Sequence, residues 1–260
     1  TFPVTDPIAR ALGAQDLDAE ESVNYSLGAV ITTGKLNVTI DAYKIDVTDR
    51  IVLSENLTSA EVRAYLETQG FIGSGGGRFF LNGVDTETQG VDIVTSYNFG
   101  ETEFGTFNGT FGANFNQTDV TAVPGTPQLS AINPAPELFG RVNVKTFEEG
   151  TPKSKFTAGL DWEKGPFGAT VRATRYGEVL VPNSNAANDY TLDPKILIDL
   201  EGRWDVNERF AVAVGADNLL DEYPDASPVG LNGTGNVPFS TYSPFGYSGR
   251  FVYAKATINF

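Results

Sequence analysis

Residues 106–116 read TFNGTFGANFN, and every second side chain in this run is apolar or small. Phe107, Phe111 and Phe115 share one parity, whereas polar side chains such as Asn108 share the other. Successive side chains of a β-strand point to opposite faces of the sheet. The run therefore predicts a strand with one apolar face and one polar face that contacts water.

The same alternation recurs along the chain and predicts about ten strands. The alternating runs lie at residues 23–31, 36–53, 91–99, 106–116, 138–145, 156–163, 167–174, 195–204, 210–216 and 252–260. Most of them approach the roughly 9–11 residues that a tilted strand needs to cross a bilayer. One helical stretch interrupts the pattern at Ser59–Leu66, where Ser59 is placed to cap a short loop helix.

The connections between the runs are of two kinds, short turns and long loops. Short connections are predicted at 34–35, 100–104, 149–153, 165–166 and 205–208, and long ones at 54–85, 119–136, 177–194 and 218–249. Short turns at one end of the strands and large loops at the other are typical of outer-membrane barrels. We therefore predict an all-β fold, an antiparallel transmembrane β-barrel. The apolar parity changes near Ala42, which predicts either a β-bulge or a strand that leaves the membrane there.

Aromatic residues accompany the predicted short turns, as expected for rings that favour the headgroup region of a bilayer. They are Phe99, Phe104, Phe147, Phe156, Trp162, Phe167, Trp204, Phe210 and Phe260.

Composition narrows the possible functions. The 260 residues carry a formal net charge of −15, which argues against a nucleic-acid partner because phosphates require a basic surface. The chain has no His and no Cys, so a Ser-His-Asp triad and a cysteine-based metal site are excluded. Adjacent carboxylates such as Glu148 and Glu149 do not show the spaced pair of a glycosidase. We therefore expect no enzyme activity, no metal site and no cofactor.

Four stretches carry a family resemblance. They are Glu20–Gly28 (EESVNYSLG), Thr39–Leu53 (TIDAYKIDVTDRIVL), Phe79–Val94 (FFLNGVDTETQGVDIV) and Asn218–Pro224 (NLLDEYP), the last followed by a closing run that ends in Phe260. Together and in this order, they resemble the C-terminal part of a TonB-dependent outer-membrane receptor.

The resemblance implies a barrel of about 22 strands that surrounds a plug. This chain would supply about ten C-terminal strands, with residues 1–21 as a loop leading into the barrel and residues 22–260 as the barrel portion. The plug and the segment that contacts TonB would lie upstream. Phe260 would be the signal read by the barrel-assembly machinery.

The resemblance also implies a function without catalysis. It implies energy-coupled uptake of a scarce, bulky nutrient, most often a ferric siderophore, across the outer membrane of a Gram-negative bacterium. Its expected partners are outer-membrane lipid, the TonB complex, the barrel-assembly machinery and the iron-siderophore ligand, without nucleic acid.

Candidate binding residues combine cations and aromatic rings, which can hold an anionic, planar ligand. Those in the long loops are Arg63, Phe71, Arg78, Phe79, Phe80, Tyr242, Phe245 and Tyr247. Ordinary loop packing is the alternative for each of them. Those expected to face the lumen are Arg141, Lys145, Arg172 and Arg203. We expect the lumen cations to pair with Asp161, Asp199 or Glu201, or with the plug.

Two other interpretations remain at this stage. A passive porin or a barrel translocator domain would share the alternation and the terminal Phe, but neither class would account for the NLLDEYP segment. A soluble β-sandwich, such as a carbohydrate-binding module, would need a second apolar layer to cover the apolar faces of the strands.

Overall fold

A computed structural model describes residues 1–232 and 235–258. The strands are β1 Glu21–Thr33, β2 Leu36–Leu53, β3 Phe80–Thr102, β4 Gly105–Ala122, β5 Ser154–Lys164, β6 Phe167–Tyr176, β7 Val179–Val181, β8 Tyr190–Leu192, β9 Lys195–Asn207, β10 Phe210–Asp217 and β11 Phe251–Ile258. The helices are α1 Pro7–Ala11, α2 Ala60–Thr68 and α3 Arg141–Glu149, with single 3-10 turns at Pro127–Leu129 and Ala186–Asn188. None of the described helices is long and apolar enough to cross a membrane.

Nine strands of the described chain form one sheet in the order β1-β2-β3-β4-β5-β6-β9-β10-β11. The short hairpin β7-β8 stands apart, inserted between β6 and β9. The pairs from β4 to β11 in this sheet are antiparallel, so the predicted all-β antiparallel architecture is confirmed.

The register between strands follows the parity read from the sequence. In the β4–β5 pair, Phe107 lies opposite Trp162, and the next residue along, Asn108, lies opposite Asp161. Apolar residues thus meet apolar residues on one face, and polar residues meet polar residues on the other. A slip of one residue would move every side chain to the wrong face, so the two-face pattern itself fixes this register.

The apolar face of β6, β9 and β10 is exposed. Phe167, Trp204 and Val214 are 51%, 46% and 61% exposed, respectively. Burial of apolar area is favourable by roughly 25 cal/mol per Å², so this uncovered face would be costly in water. A bilayer covers such a face, whereas a soluble sandwich would need a second sheet packed against it.

Connections of two residues alternate strictly with long ones along the sheet. The two-residue connections are 34–35, 103–104, 165–166 and 208–209, and the long ones are 54–79, 123–153, 177–194 and 218–250. Gly34 and Gly165 take positive φ angles of 57° and 55°, as tight hairpin turns require.

The prediction of a strand at residues 138–145 is wrong. Residues 141–149 form helix α3, inside a single long connection between β4 and β5. Val144 and Phe147, three residues apart on this helix, pack against buried neighbours. The predicted short turn at 149–153 therefore does not exist, and the main sheet has one strand fewer than expected.

Two predicted turn aromatics also lie elsewhere. Phe147 belongs to α3, and Phe156 lies near the long-connection end of β5, where its ring contacts that of Phe115 at 5.3 Å. At the short connections, Trp162 donates a hydrogen bond to the carbonyl of Phe104 at 2.7 Å.

The chain divides into two compact units. Unit 1 comprises residues 1–25, 44–89 and 118–148, and unit 2 comprises residues 26–43, 90–117 and 149–260. One boundary falls between Tyr43 and Lys44, directly after the parity change in β2.

Unit 1 has its own hydrophobic core. The core residues are Ala9, Leu12, Ala14, Val52, Leu57, Val62, Leu66, Phe79, Leu81, Val84, Leu129, Ile132, Leu138 and Phe139. Residues 1–21, predicted as a loop, contain helix α1, which Asp6 caps by accepting a hydrogen bond from the N–H of Ile8 at 2.8 Å. The predicted loop helix is present as α2, capped by Ser59.

Candidate functional site

The candidate residues of the first long connection divide between core and surface. Phe79 is fully buried, and its N–H donates to the hydroxyl of Ser54 at 3.1 Å. Phe79 is therefore a core residue, and it presents no surface to a ligand in this fold. Phe71 is partly buried against the same core, whereas Phe80 is 45% exposed.

The two arginines of this connection lie at the surface. Arg63 is exposed on helix α2. Arg78 is half-buried, and its Nε donates to the hydroxyl of Thr1 at 3.2 Å. Of the five residues predicted here, all but Phe79 keep side-chain surface that a ligand could contact.

The last long connection forms a cation–aromatic stack with the sheet. Phe245 stacks on Tyr176 with ring centroids 5.7 Å apart, and the Lys155 ammonium lies 5.1 Å from the centre of the Tyr176 ring. Sequence reasoning missed Lys155 and Tyr176, although they lie opposite each other in the β5–β6 register. The signal was available, because both lie on the polar parity at the strand ends next to long connections.

A second aromatic stack lies in the same connection. Phe239 stacks between Tyr223 at 5.8 Å and Tyr247 at 6.0 Å. The Tyr247 side chain is about half exposed. Tyr242, the third residue predicted in this connection, donates its N–H to the Ser240 hydroxyl at 3.2 Å.

The NLLDEYP segment organises the start of this connection. The Asn218 side chain donates to the carbonyl of Glu222 at 2.7 Å and accepts from the N–H of the same residue at 2.9 Å. Asp221 accepts a hydrogen bond from the N–H of Arg250 at 2.8 Å, which joins the two ends of the connection. Both Asn218 and Asp221 have positive φ, 50° and 62°, which these residue types tolerate.

An ion pair between Lys195 and Asp225 stabilises this connection at a position further along the chain. Lys195 Nζ lies 2.8 Å from Asp225 Oδ1, while Asp225 Oδ2 accepts from the N–H of Asp193 at 2.6 Å. Burial alone would raise the pKa of Asp225, but the hydrogen bonds from Lys195 and Asp193 and the charge of Lys195 hold this pKa below its ordinary value.

The polar face of unit 2 carries a hydrogen-bonded charge network. Arg203 donates to the Thr170 hydroxyl at 2.7 Å, and Thr170 in turn donates to Asp161. Arg203 also lies 3.5 Å from Glu201, which accepts from the Tyr253 hydroxyl at 3.0 Å. The predicted pairing of Arg203 with acidic neighbours is thus present.

Arg172 lies on the same polar face as this network. It is exposed on β6, opposite Asp199 in the β6–β9 register. Asp199 accepts a hydrogen bond from the N–H of Asn218 at 2.9 Å. The network and these neighbours line a groove of about 320 Å³.

A family model for the barrel of TonB-dependent receptors, described as "TonB dependent receptor-like, beta-barrel", matches residues 2–219. The chain belongs to this receptor family. No curated protein matches the sequence of this receptor chain significantly.

Solved structures of similar fold include two uptake receptors and a copper transporter. The ferric yersiniabactin uptake receptor FyuA from Yersinia pestis is 16% identical, with a TM-score of 0.60 over 95% of this chain and 31% of its own. The copper transporter OprC is 16% identical, with a TM-score of 0.59 over 94% of this chain and 32% of its own. A mutant of the ferric enterobactin receptor PfeA from Pseudomonas aeruginosa is 15% identical, with a TM-score of 0.58 over 94% and 32%.

The chain thus spans about a third of the length of these solved structures. Family membership places this receptor barrel in the outer membrane of a Gram-negative bacterium.

Two predicted lumen cations of the receptor lie in a helix instead. Arg141 and Lys145 belong to α3 of unit 1, so the strand alternation that placed them on a lumen-facing side is absent there. Lys145 pairs with Glu148 one turn along the helix, at 3.2 Å. Phe260, the predicted assembly signal, lies outside the described residues.

Proposed function

We propose that this chain is the C-terminal barrel portion of a receptor that takes up a ferric siderophore with energy from the TonB complex. The plug and the TonB-contacting segment would lie upstream of residue 1, consistent with the one-third coverage of the similar structures. Outer-membrane lipid would cover the exposed apolar face, and the barrel-assembly machinery would read the C-terminal strand.

One observation carries the choice of cargo. The stack of Lys155, Tyr176 and Phe245 combines a cation with two stacked rings within unit 2. Many iron chelators present flat, electron-rich aromatic groups with negative charge, and such groups favour both ring stacking and a nearby cation. The relatives FyuA and PfeA carry names that identify them as ferric siderophore receptors.

Copper is a weaker candidate for the cargo. OprC is named as a copper transporter, but copper prefers thiolate, thioether and imidazole ligands. These 260 residues contain no Cys, no Met and no His. This part of the receptor could therefore not supply such ligands.

The test is uptake by the complete parent receptor in a strain deleted for its own siderophore receptors, under iron limitation. Radiolabelled iron complexes of a catecholate, a phenolate and a hydroxamate siderophore would serve as probes. We expect uptake of an aromatic complex that depends on TonB, and we expect it to fall about tenfold in Tyr176→Ala or Phe245→Ala, the loss of about one stacking contact.

Phe104→Ala is the matched control, because it removes an equally aromatic, 65% exposed ring at a short connection. Its uptake should equal that of the wild type. Lack of TonB-dependent uptake for all three complexes would overturn the siderophore proposal. Uptake that continues unchanged in both stack variants would overturn the assignment of the binding residues.

A further inference from the structure

An apolar groove of about 420 Å³ lies in unit 2, on the exposed face of β5, β6, β9 and β10. Its base contains Ala169 and Gly202, which lie opposite each other in the β6–β9 register. Trp162 flanks Ala169 on one side, and Val214 flanks Gly202 on the other. The other side chains of the apolar parity that line the groove are Phe167, Trp204 and Val212. The groove is thus a depression at two small residues with larger apolar side chains around it.

Gly202 is a strand glycine that contacts within the chain do not explain. Of the strand glycines that the structure describes, it alone has no atom within 4 Å of the position that a Cβ would take. Gly215 on the adjacent strand, by contrast, would bring a Cβ within 2.4 Å of the Tyr253 ring. The φ angle of Gly202 is not positive, so no turn requires a glycine there either. A glycine inside a strand lowers stability, and it often marks a place that a ligand or another backbone approaches closely.

Stacked rings form the wall of the groove nearest the short connections. Phe167 and Trp204 lie opposite each other in the register, with ring centroids 6.2 Å apart and ring planes 22° apart. On the adjacent strand, Trp162 donates its indole N–H to the carbonyl of Phe104 at 2.7 Å, which holds its ring beside the 103–104 connection. Amphipathic rings are enriched at the boundary between hydrocarbon and headgroups. The groove therefore lies at the level where an acyl chain joins its headgroup.

A cation stands at the same end of the groove. Lys164 is exposed and lies opposite Phe167 in the β5–β6 register, on the apolar parity of β5. Its ammonium donates to the carbonyl of Glu103 at 2.8 Å, which leaves two of its three N–H donors for another acceptor. The neighbouring Glu163 belongs to the other parity, where its carboxylate lies 3.9 Å from Arg203. A long cationic side chain at the membrane boundary places its charge among the headgroups, where a lipid phosphate is the complementary acceptor.

We propose that this groove binds one acyl chain of a glycerophospholipid, with the chain over Ala169 and Gly202 and the phosphate at Lys164. The inference rests on the proposed covering of the apolar face by outer-membrane lipid, because the groove is part of that face. It adds one specific lipid site to that covering. A second copy of the receptor is another occupant with an apolar surface, but it would leave the rim cation without a phosphate.

The test measures lipid binding to the complete parent receptor, delipidated in detergent, by native mass spectrometry. The probes are dioleoyl phosphatidylglycerol and dioleoylglycerol, which has the same acyl chains without the phosphate. We expect one saturable phosphatidylglycerol site. Gly202→Leu, which fills the groove, should weaken its affinity at least about tenfold, equivalent to the loss of about two buried methylene groups. Lys164→Gln should weaken phosphatidylglycerol by about fivefold and leave dioleoylglycerol unchanged, because only the phosphate forms a charge-assisted hydrogen bond.

Ala158→Leu is the matched control, because it also places a leucine at an exposed small position of the apolar parity, outside the groove. Its phosphatidylglycerol affinity should equal that of the wild type. Equal affinities of Gly202→Leu and Ala158→Leu would overturn the proposal, and so would an equal effect of Lys164→Gln on the two lipids. A wild-type dimer that Gly202→Leu separates into monomers would overturn it in favour of a second copy. Siderophore uptake and fractionation with the outer membrane are separate readouts, so either proposal can fail alone.

Discussion

Gly215 lies beneath the ring of Tyr253, its partner in the β10–β11 register. A Cβ at Gly215 would come within 2.4 Å of the Tyr253 ring, so this glycine provides the space through which the tyrosine reaches Glu201 across β10. We expect Gly215→Ala to displace the ring and break the 3.0 Å hydrogen bond from Tyr253 to Glu201. Overpacking should lower the free energy of unfolding by about 1–3 kcal/mol.

The measurement is urea unfolding of the complete receptor in lipid, followed by tryptophan fluorescence. Gly202→Ala is the matched control, because a Cβ at Gly202 on the adjacent strand β9 would meet no atom within 4 Å. Equal unfolding free energies for the two variants would show that the Tyr253 ring does not depend on Gly215.

The lowered pKa of Asp225 gives the last connection a pH dependence with a definite sign. A carboxylate whose pKa is lower in the folded state stabilises that state above its ordinary pKa of 3.8 and loses this contribution as pH falls through the folded value. We therefore expect Asp225→Asn to speed pepsin cleavage of residues 218–250 near pH 4 and above. The cleavage ratio of variant to wild type should approach one as the pH falls further.

Taking the ratio cancels the pH dependence of pepsin itself. Glu208→Gln, which removes an exposed carboxylate at a two-residue connection, should give a ratio of one throughout. A ratio of one for Asp225→Asn near pH 4 and above would mean that the pair with Lys195 does not fasten the connection.

At the scale of elements, the first long connection is a packed structure. Phe79 is fully buried in the core of unit 1, and its neighbour Phe80 is 45% exposed. Phe79→Ala should cost about 3–5 kcal/mol, because it removes a large side chain from a closed core. The loss should appear as faster hydrogen exchange in residues 54–84, measured by mass spectrometry.

Phe80→Ala serves as the control because it makes the same chemical change one residue away, at the surface. Its exchange rates should match those of the wild type. Protection that is unchanged in Phe79→Ala would contradict the assignment of Phe79 to the core and return it to the candidate ligand contacts.

The sequence predicted strands well because their side-chain period is two and the two faces meet different surroundings. The run at 106–116 specified both the strand and its register with β5, since a one-residue slip would mix the faces. Residues 138–145 failed because three alternating apolar positions are too few to separate a strand from a helix. Val142 and Val144 fit the strand period, but Val144 and Phe147 fit the helical one.

The lengths of the connections could have revealed that residues 138–145 do not form a strand. Placing a strand at 138–145 puts two short connections, 149–153 and 165–166, on either side of one strand, which breaks the alternation of short and long. Removing that strand restores the alternation seen in the fold. The hydrophobic core of unit 1 could not be predicted in this way, because it joins segments more than 50 residues apart, such as those that contain Leu12 and Leu66.

The candidate site was only partly predictable for the same reason. Sequence proximity grouped Phe79 with the surface residues around it, although tertiary packing buries its ring. Phe245 was identified from its position in a long connection, but its partner Tyr176 lies in β6, 69 residues away. Stacks between distant segments become visible only when the strand register is known.

At the scale of the whole molecule, the two edges of the sheet set a limit on independent folding. Strands β1 and β11 stand at the ends of the described strand order, and all 13 residues of β1 are exposed. About every second residue of an edge strand points both its N–H and its C=O away from the sheet. In hydrocarbon, each such unpaired group costs several kcal/mol, so this open sheet should not be stable in a bilayer without further strands.

We therefore expect the 260-residue chain, expressed alone with an export signal, to give no folded barrel. The complete parent reading frame with the same signal should give an outer-membrane species that migrates faster in unheated than in heated gel samples and resists extraction by urea. Both products share every residue of this chain, so a difference between them reports on what the rest of the parent supplies, including the strands that pair with β1 and β11. A heat-modifiable, urea-resistant band from the chain alone would contradict the argument, since it would require the two edges to satisfy each other. Crosslinking between single cysteines placed in β1 and β11 would then show whether they pair directly within one chain or between two copies.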